Sequence, residues 1–224
     1  MPLNIAIDGP SGAGKSTLAK RLAEKMKILY LDTGAMYRGI AYYVLEKGVD
    51  PADAERVKPL LPSIEMKVSY DEAGGVQQII INGENVTPYI REHRISFAAS
   101  TVSKIPEVRL KLVELQRQIA SECDCVLDGR DIGSYVLPNA GTKIYLDAKP
   151  EVRAERRYKE LSAKGQLNGM TYEEILADVN KRDYQDMHRD FAPLVVADGA
   201  VVVDTSDMNA DEVVKKIEEI VHCK

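Results

Sequence analysis

Three cysteines in 224 residues are too few for a disulfide framework. Cys123 and Cys125 have one residue between them, so alternation along a strand sends their side chains to opposite faces. Zinc-ligand pairs usually keep at least two residues between them, which argues against a metal pair here. The cysteines read as reduced, structural residues of a cytoplasmic protein. No apolar stretch approaches the ~20 residues of a membrane span. The first apolar run begins at Leu3, and no basic flank or cleavable leader is expected ahead of it. Positive charge is the minority sign, with 30 Lys and Arg against 35 Asp and Glu and a formal net charge of −5. No overall field favours nucleic acid or an anionic membrane, so any bound anion must meet a local cluster of Arg and Lys. No repeat, low-complexity tract or linker interrupts the chain, whose length suits one large α/β domain or a core with a smaller insertion.

What is present begins with Gly9-Pro10-Ser11-Gly12-Ala13-Gly14-Lys15-Ser16, a match to G-x-x-x-x-G-K-[ST]. It follows the apolar run Leu3–Ile7, which reads as a buried strand. It opens into a segment with Leu18, Leu22 and Met26 at helical spacing. Glycines let backbone N–H groups converge on a di- or triphosphate without Cβ obstruction, and the helix N-terminus adds a favourable dipole. Gly9 through Thr17 are thus the candidate ATP site, with Lys15 reaching the β/γ oxygens and the Ser16 hydroxyl a ligand of Mg²⁺. Asp128 ends the apolar run Cys125-Val126-Leu127 and is a candidate to hold Mg²⁺ through water; capping the following turn is its alternative role.

Strand and helix signals alternate along the chain. Ile28–Leu31 reads as a strand and Ala35 to about Lys47 as a helix, with Thr33 able to cap it. A short polar helix from Asp50 stops near Pro59 and Pro62. Ile64–Tyr70 and Val76–Ile81 alternate apolar and polar residues, with turn chemistry at 71–75 and at Asn82-Gly83. Residues 63–91 are therefore expected as a small antiparallel insertion on the main sheet. Helices are expected over Arg94–Ser103, from Pro106 to about Glu122, from Pro150 to Gly165, from a capping box at Thr171 to about His188, and over Asp211–Cys223. Strands are expected over Lys143–Asp147 and Ala200–Asp204. The pattern predicts an α/β, doubly wound parallel sheet of P-loop NTPase type, with helices on both faces and the antiparallel insertion.

A phosphate loop is shared by transferases, hydrolases, switches and motors, so the reaction must be read from an acceptor site. Candidate segments are Asp32-Thr33-Gly34-Ala35-Met36-Tyr37-Arg38, Ala98-Ala99-Ser100-Thr101, Asp128-Gly129-Arg130-Asp131 and Lys181 to Arg189. With the phosphate loop, with Ile132-Gly133 and with Ala192-Pro193-Leu194, these segments resemble the cytidylate kinase family, bacterial CMP/dCMP kinases of the nucleoside monophosphate kinase superfamily. The likeness runs over essentially the whole chain, the strand-rich insertion included, and implies a core (1–32, 92–150, 190–224), a monophosphate-binding region with the insertion (33–91) and a helical lid (151–170).

The resemblance implies ATP with Mg²⁺ as one substrate and CMP or dCMP as the other. It implies that Arg38 and Arg130 hold the acceptor phosphate, a task suited to planar guanidinium forks. Thr33, Ser100, Arg109 and Asp131 join the CMP site. Cytosine offers an N4 amine beside N3 and O2 acceptors, so Asp131 would accept from N4 while Ser100 and Arg109 donate. Uracil would set a carbonyl against Asp131, an unpaired buried group that discriminates strongly. Arg182 and Asp186 would bind the pentose, also pairing with each other at i,i+4, and Arg189 would reach the transferred phosphate. Lys15, Arg130, Arg182 and Arg189 form the catalytic set. Arg153 and Arg157 are lid candidates for triphosphate contact, though their run also reads as a solvated helix face. Without the resemblance, Arg38 is equally a solvated helix residue, Ser100 a backbone-bonded one and Arg109 a surface partner of Glu107 or Glu114.

The acceptor phosphate ionises with a second pKa of about 6, so no strong general base is needed, and His93, His188 and His222 are not expected to act. A monomer without nucleic-acid or membrane partners is expected. Two rivals stay open: a kinase for UMP, AMP or a carboxylated sugar-like acceptor, and a nucleotide-driven switch.

Overall fold

The computed structural model describes residues 2–71 and 76–222. The chain runs β1 (Asn4–Asp8), α1 (Lys15–Met26), β2 (Leu29–Asp32), α2 (Thr33–Glu46), α3 (Ala54–Val57), β3 (Met66–Tyr70), β4 (Gln77–Ile81), β5 (Glu84–Asn85), α4 (His93–Val102), α5 (Pro106–Glu122), β6 (Cys125–Asp128), β7 (Thr142–Asp147), α6 (Pro150–Ala163), α7 (Tyr172–His188), β8 (Val201–Asp204) and α8 (Ala210–His222). A 3₁₀ turn covers Lys58–Ser63 and a π turn Ile132–Val136. Two compact units result: Met1–Tyr30 with Cys123–Lys224, and Leu31–Glu122. Helices α4 and α5, grouped with the core in the sequence reading, fall in the second unit.

The first unit is built on a sheet of order β2-β6-β1-β7-β8. The pairs β1–β6, β1–β7 and β7–β8 are parallel. Central strands of such a sheet are covered on both faces, which is why Ile5-Ala6-Ile7 and Cys125-Val126-Leu127 are unbroken apolar runs with no exposure. Leu18, Leu22 and Ala19 of α1 and Val213 and Ile217 of α8 pack with Ile5, Ile7, Val126, Ile144 and Leu146. Each fully buried Leu or Ile contributes roughly 1.5–3 kcal/mol. The same helix ends where Lys27 turns left-handed (φ 55°) and Ile28 N–H closes back on the Ala23 carbonyl at 3.0 Å. Helices α6 and α7 share their own small cluster of Ala154, Leu161, Ile175 and Val179. The expected capping box opens α7, with Thr171 and Glu174 each bonding the other's backbone N–H.

The second unit corrects the reading of the insertion. Strands β3, β4 and β5 form a separate three-stranded antiparallel sheet rather than an addition to the main one. Asn82 (φ 52°) and Gly83 (φ 86°) make the expected hairpin turn, joining β4 to a third strand that the alternation did not reveal. Residues 72–75 of the other expected turn lie outside the described residues. Gly39 lets α2 lie close to this sheet, because a Cβ there would stand 2.8 Å from Ile79 Cγ2 and 3.2 Å from Met66 Cε. The α2 cap is Asp32, not Thr33: Asp32 Oδ1 accepts from Ala35 N at 2.8 Å, and Thr33 is already helical and buried. Among the described residues no helix is long and apolar enough to cross a membrane.

Candidate active site

The phosphate loop leaves the end of β1 through a backbone only glycine can supply. Gly9 has φ +142°, and a Cβ there would fall 1.9 Å from the Leu146 carbonyl oxygen of β7. Gly14 caps α1 in the left-handed region with no side-chain cap, and no acidic residue occupies the first turn. The leading amides of α1 are thus left for an anion. Lys15 is folded back onto its own loop, Nζ donating to the Pro10 carbonyl at 2.7 Å. Burial, and secondly the Arg130 charge, pull the Lys15 pKa down from 10.5 to about 7.

Ser16 Oγ donates to Asp128 Oδ2 at 2.8 Å, bringing together the two residues assigned to the metal. Tyr30 Oη donates to the other oxygen, Oδ1, at 2.9 Å, so the Asp128 carboxylate is fixed from both sides. Asp8, at the end of β1, accepts from Ile132 N and Gly133 N, each at 2.7 Å. It thereby anchors the residues that follow Asp128-Gly129-Arg130-Asp131. Burial raises its pKa from 3.8 to about 6 even against these two amide bonds.

Arg130 donates through Nε to Asp186 Oδ2 at 2.8 Å. Asp186 Oδ1 lies 3.7 Å from Arg189 Nη1, and Arg189 Nη2 reaches Asp131 Oδ1 at 3.4 Å. Arg189 Nε also donates to the Ala192 carbonyl at 2.7 Å. The first unit therefore joins Arg130, Asp131, Asp186 and Arg189 in one network. It corrects one expectation, because Asp186 is turned to Arg130 and Arg189 rather than to Arg182. Burial lowers the Arg182 pKa from its usual value, with Arg157 and Arg130 adding like-charge repulsion. Asp131, expected to meet a cytosine amine, is buried and holds Arg189.

The lid arginines separate by role. Arg153 is buried, and its fork lies on Asp183, Nη1 to Oδ1 at 3.1 Å and Nη2 to Oδ2 at 2.5 Å. Its Nε donates to Ala148 O at 2.8 Å and Nη1 also to Ser11 O at 3.1 Å. Arg153, expected as a candidate for triphosphate contact, is a buttress beneath the phosphate loop, each of its three nitrogens serving a protein acceptor. Arg156 similarly ties α6 to the Thr205 carbonyl at 2.6 Å. Arg157 pairs with Glu160 at 2.9 Å on a partly exposed face, the bland arrangement of the run.

In the second unit Arg38 Nη2 pairs with Asp32 Oδ2 at 2.9 Å, so Arg38 is not a solvated helix residue. Its Nε is buried with no hydrogen-bond partner among the described residues. Arg109 is 1% exposed, donates to the Ser103 carbonyl at 3.4 Å and lies 5.5 Å from the Tyr37 ring centroid. Arg109 is therefore not a surface residue, and Glu107 meets Lys58 at 3.3 Å. Ser100 sits half-buried on α4 and Thr33 is buried at the start of α2.

Sequence reasoning gave no individual role to Tyr30, Gln77, Asp183 or Thr205, although Asp183 lies in the segment Lys181 to Arg189 that it singled out. Thr205 Oγ1 bonds the Ala13 carbonyl of the phosphate loop at 3.3 Å. Gln77 embraces the Asp32 backbone, accepting from its N–H at 2.6 Å and donating to its carbonyl at 3.1 Å. The pair of glutamines that opens β4 ahead of its isoleucines was the only local signal for Gln77; Tyr30 and Thr205 carried none.

A family model for cytidylate kinase matches residues 5–223. The chain is similar to the cytidylate kinase of Caldicellulosiruptor bescii, 44% identical over 218 residues, which is 97% of this chain and 95% of that one. It is 45% identical to that of Carboxydothermus hydrogenoformans over 98% and 97% of the two chains. With that of Clostridium acetobutylicum the identity is 44% over the whole of both. Among solved structures, an uncharacterised protein from Eubacterium ventriosum matches over 99% of each chain with a TM-score of 0.54 and 13% identity, a likeness of fold alone. Carrying the phosphate loop, the arginine network and a family match over nearly its full length, the chain belongs to the cytidylate kinase family of ATP-dependent nucleoside monophosphate kinases.

Proposed function

We propose that this chain transfers the γ-phosphoryl group of ATP to CMP or dCMP, giving ADP and CDP or dCDP, with the following division of labour. The loop from Gly9 to Thr17 binds the ATP phosphates, and Lys15 leaves the Pro10 carbonyl to pair with them. In the second unit Thr33, Arg38, Ser100 and Arg109 serve the acceptor. In the first, Arg130, Asp131, Arg182 and Asp186 do so, and Arg189 serves the phosphoryl group in transit. The observation that carries the reading is the state of Lys15, an amine buried beside Arg130 and turned onto its own loop. An arriving polyphosphate repays that burial by restoring a charge partner.

Ser16 Oγ and Asp128 Oδ2, 2.8 Å apart, offer the hard oxygen donors that Mg²⁺ prefers. Two protein donors suit an ion carried mainly by the ATP phosphates and water. When bound, it would neutralise charge on the phosphate oxygens. The protein's own share is positioning, cation placement and exclusion of water. No residue need take a proton, because the attacking phosphate oxygen is ionised near neutral pH. The reaction belongs to cytoplasmic pyrimidine nucleotide metabolism and is carried out by a monomer.

The test is product formation from CMP, dCMP, UMP and AMP under identical conditions, beside ATP turnover with no acceptor. CMP or dCMP is expected to lead. Preference for UMP overturns the assignment of Asp131, and turnover that CMP leaves unchanged points to the switch instead. Asp131→Ala is expected to lose cytosine preference more than ATP affinity.

A further inference from the structure

The antiparallel insertion reaches the acceptor side of the second unit through one buried amide. Gln77, 8% exposed, opens β4 opposite Tyr70. Its Oε1 accepts from Asp32 N and its Nε2 donates to Asp32 O. A carboxamide, with one acceptor beside one donor, satisfies both backbone groups at once. The Asp32 side chain is set by that grip. One oxygen caps α2 by accepting from Ala35 N, and the other takes Arg38 Nη2 at 2.9 Å. The next residue after Arg38 is Gly39, and there α2 rests directly on Ile79 and Met66 of the same small sheet. The small sheet therefore meets α2 at two points, at the Asp32 cap before Arg38 in the sequence and at Gly39 just after it.

We infer that Gln77 is a positioning residue for the acceptor phosphate, acting through Asp32 to aim Arg38, and that presenting this arginine is a task of the insertion. Arg38 retains a buried Nε without a hydrogen-bond partner among the described residues, which is the state expected of a fork aimed in advance at a ligand. The inference rests on the reading of Arg38 as a ligand of the acceptor phosphate. Gln77 touches no substrate in it. Its contribution is to remove alternative rotamers of the Asp32–Arg38 pair before CMP arrives, which strengthens binding by lowering its ordering cost.

The experiment compares Gln77→Leu and Gln77→Glu with the parent, each in the Arg38 and the Arg38→Ala background. Titration calorimetry with CMP and separately with ATP gives the affinities, and steady-state kinetics gives kcat. Gln77→Leu is expected to weaken CMP about tenfold, the effect of losing a buried hydrogen-bonded anchor. Gln77→Glu keeps the acceptor but faces the Asp32 carbonyl with a second oxygen, and is expected to weaken CMP at least as much. ATP affinity should stay within about twofold in both. The deciding result is the cycle: in the Arg38→Ala background neither substitution should weaken CMP further by more than about twofold. Equal weakening in both backgrounds, unchanged CMP affinity in the parent background, or parallel loss of ATP and CMP binding would each overturn the inference. If Arg38→Ala alone leaves CMP binding intact, the phosphate-binding reading fails, which is a separate result. Melting curves establish that each protein is folded. Should the leucine variant not fold, the glutamate variant carries the same criteria.

Discussion

Removing the Asp183 carboxylate tests how the phosphate loop is braced. Arg153 and Asp183 form a bidentate pair with side chains 3% and 12% exposed. The guanidinium also serves the Ala148 and Ser11 carbonyls. In Asp183→Ala these two carbonyls remain, but the charge loses its counterion in a site water barely enters. Breaking a buried pair from one side costs about 3–5 kcal/mol, whereas losing an exposed pair costs about 0–1 kcal/mol. In a chain of 224 residues each kcal/mol moves Tm by about 2–4 °C, so the buried case predicts a fall of roughly 6–20 °C and the exposed case at most about 4 °C.

Thermal melting by circular dichroism gives the first measurement. Hydrogen exchange gives the second, because α6 and α7 share a separate small apolar cluster and can open ahead of the main sheet. The exchange of α7 amides should accelerate in step with the loss of Tm. A double variant, Arg153→Met with Asp183→Leu, replaces the ions with apolar groups of similar reach and should melt closer to the parent than either single variant does. An Asp183→Ala protein that melts within about 2 °C of the parent refutes the claim that this pair is a buried brace. So does a double variant that loses the sum of the two single losses.

Three further outcomes follow from the loop itself. Lys15 has a folded pKa of about 7 against 10.5 for the free amine, so the unfolded chain holds more protons between those values. Its contribution to stability without ligand therefore rises with pH from about 7 to 10.5, and Lys15→Met should flatten that slope in urea titrations. ATP restores its charge, so binding at pH 8 should take up close to one proton, falling toward none below pH 6. Calorimetry in buffers of different ionisation enthalpy measures this, and no uptake at pH 8 removes the case for a neutral buried lysine. Gly9→Ala sets a Cβ 1.9 Å from the Leu146 carbonyl, which only a shift of strand backbone relieves. Loss of ATP binding, or of the fold, is expected by calorimetry and melting, and near-parent ATP affinity contradicts it.

What the sequence disclosed and what it hid divide along one physical line. The octapeptide loop, the unbroken apolar runs of Ile5–Ile7 and Cys125–Leu127, the Asn82-Gly83 turn and the Thr171 capping box each depend on residues within a few positions of one another. Local chemistry decides them, and the structure has them where the pattern placed them. Choice of partner among charged residues is different, because helices and loops distant in sequence bring these partners together only in the folded chain. Helical spacing alone offers Asp186 to Arg182, four residues away. The folded chain gives it to Arg130, 56 positions distant. Arg153 lies in a charged run that reads as a solvated face until Asp183 arrives from 30 positions away.

Even the one-residue question of whether Asp32 or Thr33 caps α2 is not settled by propensity, since both side chains make good caps. In the fold Gln77, 45 positions further along, bonds both backbone groups of Asp32 at the cap, and α2 begins at Thr33, one residue earlier than a Thr33 cap would start it. In this chain the residues bearing chemistry can be named from local pattern, but the direction each guanidinium points is set by acceptors that only the tertiary fold supplies.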